Sequence, residues 1–150
     1  MSAQTFALDL SKFIEKAKAA PEQVVRKVSI DLLSKVVLRT PVGNPTLWKT
    51  KYPPAGYVGG RLRANWNVSI GSPDLSTSPA IDKTGGPTIA SGVAALGRVD
   101  ATQPVYIMNS LPYVREIEYE GHSKQAPAGM VRVTVTEFQT FVNSAVRGIK

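Results

Sequence analysis

The sequence contains no cysteine and a single histidine, His122. Without thiolates the chain can build neither a disulfide framework nor a zinc or iron–sulfur site with sulfur ligands. A lone imidazole also excludes a histidine-rich metal site. We therefore expect no bound metal.

Long apolar runs are missing as well. The longest purely aliphatic stretches, such as residues 36–38, are far shorter than the ~20 residues that cross a bilayer. The opening MSAQTFALDL lacks a basic segment followed by an apolar one, so we expect no secretory signal and a soluble intracellular product. With 43% apolar and 19% charged residues, the composition predicts one globular domain over residues 1–150.

The charge is unbalanced and unevenly distributed. Eighteen Lys and Arg against eleven Asp and Glu give a formal charge of +7, and the excess lies within residues 1–70. A basic half-surface fits nucleic acid or an acidic protein partner, and it can also serve solubility alone.

The first half predicts a long helix followed by a long loop. From Ser11 to Arg39 apolar residues recur at three- and four-residue steps, and Pro21 should kink or divide the helix near Ala20. Of residues 41–60, eight are Gly or Pro, which predicts a loop. This loop interleaves aromatic and basic side chains: Trp48, Lys49, Lys51, Tyr52 and Tyr57. It could order against a protein partner or a phosphate backbone, or pack onto the domain's own core.

Residues 61–70 alternate between apolar and polar, which predicts a half-buried strand. The polar face, with Arg61, Arg63, Asn65, Asn67 and Ser69, could meet carboxylates or phosphates across an assembly contact, or be a solvated sheet face.

The second half predicts shorter elements. Residues 71–87 read as a loop, 87–96 as a short helix, 105–109 as a strand buried on both sides, and 112–120 as another short helix. Val131, Val133 and Val135 alternate like a strand, but a longer register of four- and three-residue steps predicts one helix to the C-terminus, with these residues facing inward: Val131, Val135, Phe138, Val142, Ala145 and Ile149.

No catalytic group assembles from these residues. His122 follows three glutamates and precedes Ser123, but neighbours along a chain do not direct their side chains at each other. Alternate glutamates on a helix point about 200° apart and cannot share one ion. Neither a phosphate-binding loop nor a GxGxxG motif occurs. We expect a non-enzyme without a cofactor.

Two stretches carry a family resemblance. Residues 109–131, NSLPYVREIEYEGHSKQAPAGMV, resemble the pattern N-x-L-P-Y-A-x-x-L-E-Y-G-x-S-x-Q-A-P-x-G-M-V. That pattern is typical of tail-component, or neck, proteins of long-tailed double-stranded-DNA bacteriophages. Upstream, TPV at 40–42 and GRLRANW at 60–66 resemble the same family's T-P-V and G-R-L-R-x-x-W, although residues 43–59 form an insertion and Glu120 is one extra residue.

The resemblance implies a structural virion protein at the head–tail junction. Such proteins form rings, here expected to be hexameric, that complete the tail and join it to the head. The implied partners are further copies of the chain, a tail terminator and a head-closure or connector protein, with non-specific contact to genomic DNA in the channel. Assembly would take place in the host cytoplasm, with no membrane contact.

The implied fold is α+β, a small, mostly antiparallel sheet flanked by a long N-terminal helix and a C-terminal helix. The alternative function is a basic DNA-binding accessory protein, which the charge and the aromatic loop favour. The candidate interface residues are Trp48, Lys49, Lys51, Tyr52, Tyr57, Arg61, Arg63, Tyr113, Glu118 and Lys124.

Overall fold

A computed structural model describes residues 20–48 and 52–149. The elements, in chain order, are α1 (Pro21–Arg39), a 3-10 turn (Pro45–Leu47), α2 (Arg61–Ala64), β1 (Asn67–Ile70), α3 (Gly86–Leu96), β2 (Val105–Met108), α4 (Val114–Tyr119), α5 (Val131–Val135) and α6 (Phe138–Arg147). The two strands pair antiparallel, with Asn67 opposite Met108 and Ile70 opposite Val105. The predicted α+β class, with its small antiparallel sheet between a long N-terminal helix and a C-terminal helix, is confirmed.

Helix α1 begins at the proline where a break was predicted. Pro21 suits the first turn because that position needs no backbone donor, and Ala20 before it has a non-helical φ of −154°. The earlier part of the predicted helix, residues 11–19, lies outside the described residues. Across the described part of the chain, α1 included, no helix is both long and apolar enough to span a bilayer.

The core has two parts, and α1 contributes to both. One part joins the C-terminal half of α1 to α2 and to the segments before α4 and α5: Leu33, Val36, Val37, Leu62, Trp66, Leu111, Ala126 and Met130. The other packs the N-terminal half of α1 against α6: Val24, Val28, Phe141, Val142 and Ala145. The long helix is therefore the element on which the rest of the domain assembles.

The predicted strand over residues 61–70 is wrong in its first half. Gly60 adopts a left-handed φ of +112°, and the chain then forms α2 before entering β1. Leu62 and Trp66, four residues apart, are 5% and 6% exposed and fill the core. One helical turn followed by Asn65, which has φ of −101° and ψ of 18°, buries these two side chains, so the alternating pattern did not require a strand.

The other short elements are placed as predicted, with one difference in burial. Helix α4 falls within its expected range, α3 begins one residue earlier than expected, and β2 occupies Val105–Met108. The strand was expected to be buried on both sides, yet all four of its residues are only half-buried. The sheet has two strands, which leaves β2 one hydrogen-bonded neighbour.

The single C-terminal helix predicted from residue 131 is divided into α5 and α6 by Thr136 and Glu137. The hydroxyls of Thr134 and Thr136 donate to the carbonyls of Met130 and Val133 at 2.7 and 2.6 Å, a bond that bends helices. The break rotates the first half of the predicted inward stripe outward, since Val131, Val135 and Phe138 are 40%, 57% and 46% exposed.

Candidate functional site

The end of α1 is tied to α2 by three side chains of the quoted TPV and GRLRANW segments. The indole nitrogen of Trp66 donates to the hydroxyl of Thr40 at 2.7 Å, and that hydroxyl donates to the carbonyl of Val36 at 2.6 Å. The guanidinium of Arg63 donates twice to the carbonyl of Thr40, at 2.7 and 3.1 Å, and once to the carbonyl of Lys83 at 2.6 Å. Arg63 therefore satisfies carbonyls at the helix end, as cations do there. Its predicted place on the polar face of a strand is wrong.

A second set of bonds joins the upstream segment to the downstream one. The side-chain amide of Gln125 donates to the carbonyl of Val42 at 2.9 Å and accepts from its N–H at 3.3 Å. The amide of Asn109 donates to the carbonyl of Leu62 at 2.8 Å. The Gln125 amide satisfies the backbone of Val42, and the Asn109 amide adds a second donor to a Leu62 carbonyl that already accepts from the N–H of Asn65.

Glu118 is only 5% exposed and caps the start of α5. Its carboxylate accepts from the N–H groups of Met130, Val131 and Arg132 at 2.7, 2.9 and 2.9 Å. Burial by itself raises the pKa of Glu118, but these donors and the Arg132 guanidinium outweigh it and hold the pKa below its usual value. Glu118 was a candidate interface residue, and the structure instead commits its carboxylate to the chain's own backbone.

Gly129 allows that cap to form. Its φ is +87°, and a Cβ there would lie 2.6 Å from the carbonyl oxygen of Glu118 and 2.7 Å from its carboxylate. Any side chain would therefore strain the backbone and push α5 away from Glu118. The glutamate and the glycine of the 109–131 segment form one local unit.

Sequence reasoning missed a second buried carboxylate, Asp82, which is 4% exposed. It accepts from the N–H groups of Gly85 and Thr88 at 2.7 and 3.0 Å and from the Thr88 hydroxyl at 2.6 Å, at the start of α3. Burial opposes ionisation, yet these bonds lower the pKa of Asp82 to about 2. An aspartate shortly before a Gly-Pro helix start is the signal that could have revealed this cap.

The polar side chains of residues 61–69 are largely covered by the chain itself. The amide of Asn65 donates to the carbonyl of Ser78 and accepts from its N–H, at 3.0 and 2.7 Å. Asn67 donates to the carbonyl of Ser76 at 2.8 Å, and Arg61 donates through Nε to the carbonyl of Ser78 at 3.1 Å. The proposed contact face therefore holds the 72–78 loop, and of its two arginines only Arg61 stays exposed.

The candidate residues of the aromatic loop differ in their exposure to solvent. Trp48 is half-buried and meets Tyr57 edge to face, with ring centroids 4.8 Å apart, whereas Tyr52 is 91% exposed. Lys49 and Lys51 lie outside the described residues. The remaining candidates, Tyr113 and Lys124, are exposed. Burial raises the pKa of Tyr113, nearby Arg61 lowers it and Tyr57 raises it, so these three side chains share one neighbourhood.

His122 contacts Glu116 and Glu120, at 3.5 Å from each carboxylate. The Ser123 hydroxyl accepts from the N–H of Gln125 at 3.2 Å, so it serves a local turn. Over residues 20–48 and 52–149, no group of three or more histidine and carboxylate side chains is arranged to hold a metal ion.

Two open grooves border the motif residues. One, of about 280 Å³, lies between the end of α1 and residues 125–129. The other, of about 540 Å³, lies between the 3-10 turn and residues 57–59, with Lys83 and Gln125 also lining it.

The chain matches no known family model, no curated protein and no solved structure. The family resemblance of residues 40–66 and 109–131 therefore rests on the residues quoted above.

Proposed function

We propose that this chain is a structural virion protein of the head–tail junction in a long-tailed double-stranded-DNA bacteriophage. It associates with further copies of itself as a ring that completes the tail and joins it to the head connector. It acts through the shape and chemistry of its surfaces and catalyses no reaction.

One observation carries the proposal: the quoted segments, far apart in the chain, converge on one another. Trp66 bonds Thr40, Gln125 bonds Val42, and Asn109 bonds the carbonyl of Leu62. Within the downstream segment Glu118 bonds three consecutive N–H groups, beginning at Met130. A chance likeness of short sequence patterns would not be expected to pick out residues that hold a single junction together. Their convergence supports treating the two patterns as one family signature.

The surface also supports an assembly role. Among residues 20–48 and 52–149, thirteen large apolar or aromatic side chains are exposed, and they include Val131, Val135 and Phe138, which the sequence pattern assigns to a core. Scattered apolar residues are normal on a monomer, whereas grouped ones mark contact surfaces. A ring subunit covers such groups with neighbouring copies.

The first test is a mass measurement on the purified protein, followed by electron microscopy of particles from a phage that lacks the gene. We expect homomeric assemblies in solution, and DNA-filled heads with separate or misformed tails in the deletion. Normal infectious particles without the protein would contradict the proposal. Restoring the gene on a plasmid is the control for effects on neighbouring genes.

The alternative, a DNA-binding accessory protein, predicts a different result. Binding to a DNA duplex would be nanomolar at moderate salt and would fall steeply between about 50 and 200 mM salt. Under the head–tail proposal we expect weak binding without sequence preference, alongside large homomers. Nanomolar binding by a monomeric protein would replace the first proposal with this alternative.

A further inference from the structure

The larger groove is lined by both apolar and polar residues, and Lys83 places a positive charge in its lining. We name as the basic groove these residues: Leu47, Tyr57, Val58, Arg61 and Lys83. Leu47, Tyr57 and Val58 are 46%, 39% and 44% exposed along the cavity of about 540 Å³. Lys83 lines the same cavity. Arg61 is not one of its lining residues, but it is exposed and lies near Tyr57, because both side chains act on the pKa of Tyr113. No carboxylate of the described residues lines this cavity.

The groove is held in shape before any partner arrives. Tyr57 packs on two sides. The ring of Trp48 meets it edge to face, and the backbone of Gly43 approaches it so closely that a Cβ there would lie only 1.8 Å from the tyrosine oxygen. Arg61 is anchored through Nε to the carbonyl of Ser78, which leaves its terminal nitrogens for other acceptors. A rigid aromatic side chain and an oriented arginine lose little entropy on binding, and residues of these types dominate interface energies.

A complementary surface lies on α4. Glu116, Tyr119 and Glu120 are spaced i, i+3 and i+4, so they share one side of the helix, and the helical bond from the N–H of Glu120 to the carbonyl of Glu116 confirms that register. Tyr119 is 62% exposed, and the two glutamate side chains are 53% and 55% exposed. Within the described residues their only ion-pair contact is with His122, at 3.5 Å from each carboxylate. We name these three residues the acidic face.

We infer that the basic groove of one copy binds the acidic face of a second copy. The inference rests on the proposed function, and it assigns the contact that links ring subunits. Tyr119, with the Arg132 guanidinium 5.0 Å from its ring centroid, enters the basic groove, while Glu116 and Glu120 pair with Arg61 and Lys83. Because the contact joins unlike surfaces, it can continue from copy to copy until a ring closes.

Charge favours a second copy as the occupant. At +7 the chains repel one another overall, so self-association needs a local pairing of opposite charges. In the described residues, neither Arg61 nor Lys83 forms an ion pair within its own chain. The acidic face supplies the two carboxylates that the basic groove lacks.

The test uses two charge-reversed variants of the full chain. Variant one is Arg61→Glu with Lys83→Glu, and variant two is Glu116→Lys with Glu120→Lys. Each should lose self-association, with an apparent dissociation constant raised by about tenfold or more, because like charges then meet across the contact. Mixing the two variants should restore assembly, since each reversed surface now faces its opposite. Mass photometry and sedimentation velocity measure both effects.

A control variant, Arg98→Glu with Arg147→Glu, carries the same net charge as variant one at other exposed sites and should assemble like the wild type. Thermal unfolding checks that every variant folds. If the wild type assembles and the reversed variants assemble equally well, or if their mixture stays monomeric, this contact is wrong while the ring proposal stands. A wild type that forms no homomer contradicts the ring proposal as well. If variant one still forms homomers but no longer binds duplex DNA, the groove binds phosphate groups and the inference is overturned.

Discussion

The indole N–H of Trp66 donates to the hydroxyl of Thr40 at 2.7 Å across 26 positions of sequence, and both side chains are buried. The same hydroxyl donates a hydrogen bond to the carbonyl of Val36 at 2.6 Å. The Thr40 hydroxyl thus pairs with two groups: the buried N–H of Trp66, just after α2, and the Val36 carbonyl in the last turn of α1.

Thr40→Val should therefore destabilise the domain without changing its shape. The substitution keeps the side-chain volume but leaves the Trp66 N–H buried and unpaired, a loss of about 1–3 kcal/mol in the free energy of unfolding. Urea denaturation followed by tryptophan fluorescence measures it. Thr77→Val, at an exposed site, is the matched control and should change stability little. Equal stabilities for the two variants would show that the bond contributes nothing.

Gly129→Ala should cost more than the same change at another left-handed glycine. At Gly129 the new Cβ meets the carbonyl and carboxylate oxygens of Glu118 at 2.6 and 2.7 Å, whereas at Gly56, with φ of +73°, nothing lies within 4 Å. We expect about 1 kcal/mol at Gly56 from backbone strain alone and at least about 2 kcal/mol at Gly129. Denaturant midpoints of the two variants make the comparison, and a larger loss at Gly56 would be incompatible with the Glu118 cap.

Asp82 makes the domain sensitive to acid. Its pKa is about 2 in the folded chain and 3.8 as the ordinary value, so the folded state holds the proton less tightly. The stabilisation is present above about pH 3.8 and is lost as the pH falls through about 2; it amounts to about 2 kcal/mol. Between pH 7 and 2, the free energy of unfolding should fall less for Asp82→Asn than for the wild type. At pH 7 the variant should already be less stable.

Asp31→Asn is the control for that experiment, because Asp31 pairs with Lys27, four residues earlier in α1, and its side chain is 21% exposed. The Asp31 variant should keep the acid-dependent loss of the wild type. An Asp82→Asn variant with an unchanged pH profile would remove Asp82 as its source.

Two phenylalanines test the division of the C-terminal helix. Phe141 is 8% exposed and packs against Val24 and Val28 of α1, whereas Phe138 is 46% exposed. Phe141→Ala should lower the free energy of unfolding by about 3 kcal/mol, and Phe138→Ala by less than about 1 kcal/mol when measured on the monomer. A single unbroken helix with the predicted inward stripe would reverse that order.

Local sequence patterns correctly predicted the helices whose pattern fits only one kind of secondary structure. The three- and four-residue periodicity located α1, which begins at the break predicted at Pro21, and Pro87 after Gly86 located α3. They failed where two structures satisfy the same pattern. Alternation over residues 61–70 suits a strand, but burial of Leu62 and Trp66 is met equally well by a helical turn, and the left-handed Gly60 selects that turn.

For the candidate interface residues, too, the sequence pattern alone leaves two structural roles open. Arg61 and Tyr113 are exposed, whereas Arg63 and Glu118 are bonded to distant backbone groups, which no local pattern reveals. A charged residue in a motif looks the same whether it faces a partner or caps a helix many residues away. Only the path of the chain brings the carbonyl of Thr40 to Arg63 and the N–H of Met130 to Glu118.

By itself the sequence determined the long first helix, the absence of cysteine chemistry and the two segments on which the phage resemblance rests, because each follows from residue types or from periodicity within one segment. The α+β class was implied by that resemblance, and the folded chain confirms it. The tertiary structure decided which polar residues stay free for partners and which hold the domain together. Hydrogen bonds between distant segments, and the burial that goes with them, depend on three-dimensional proximity, which no local pattern encodes.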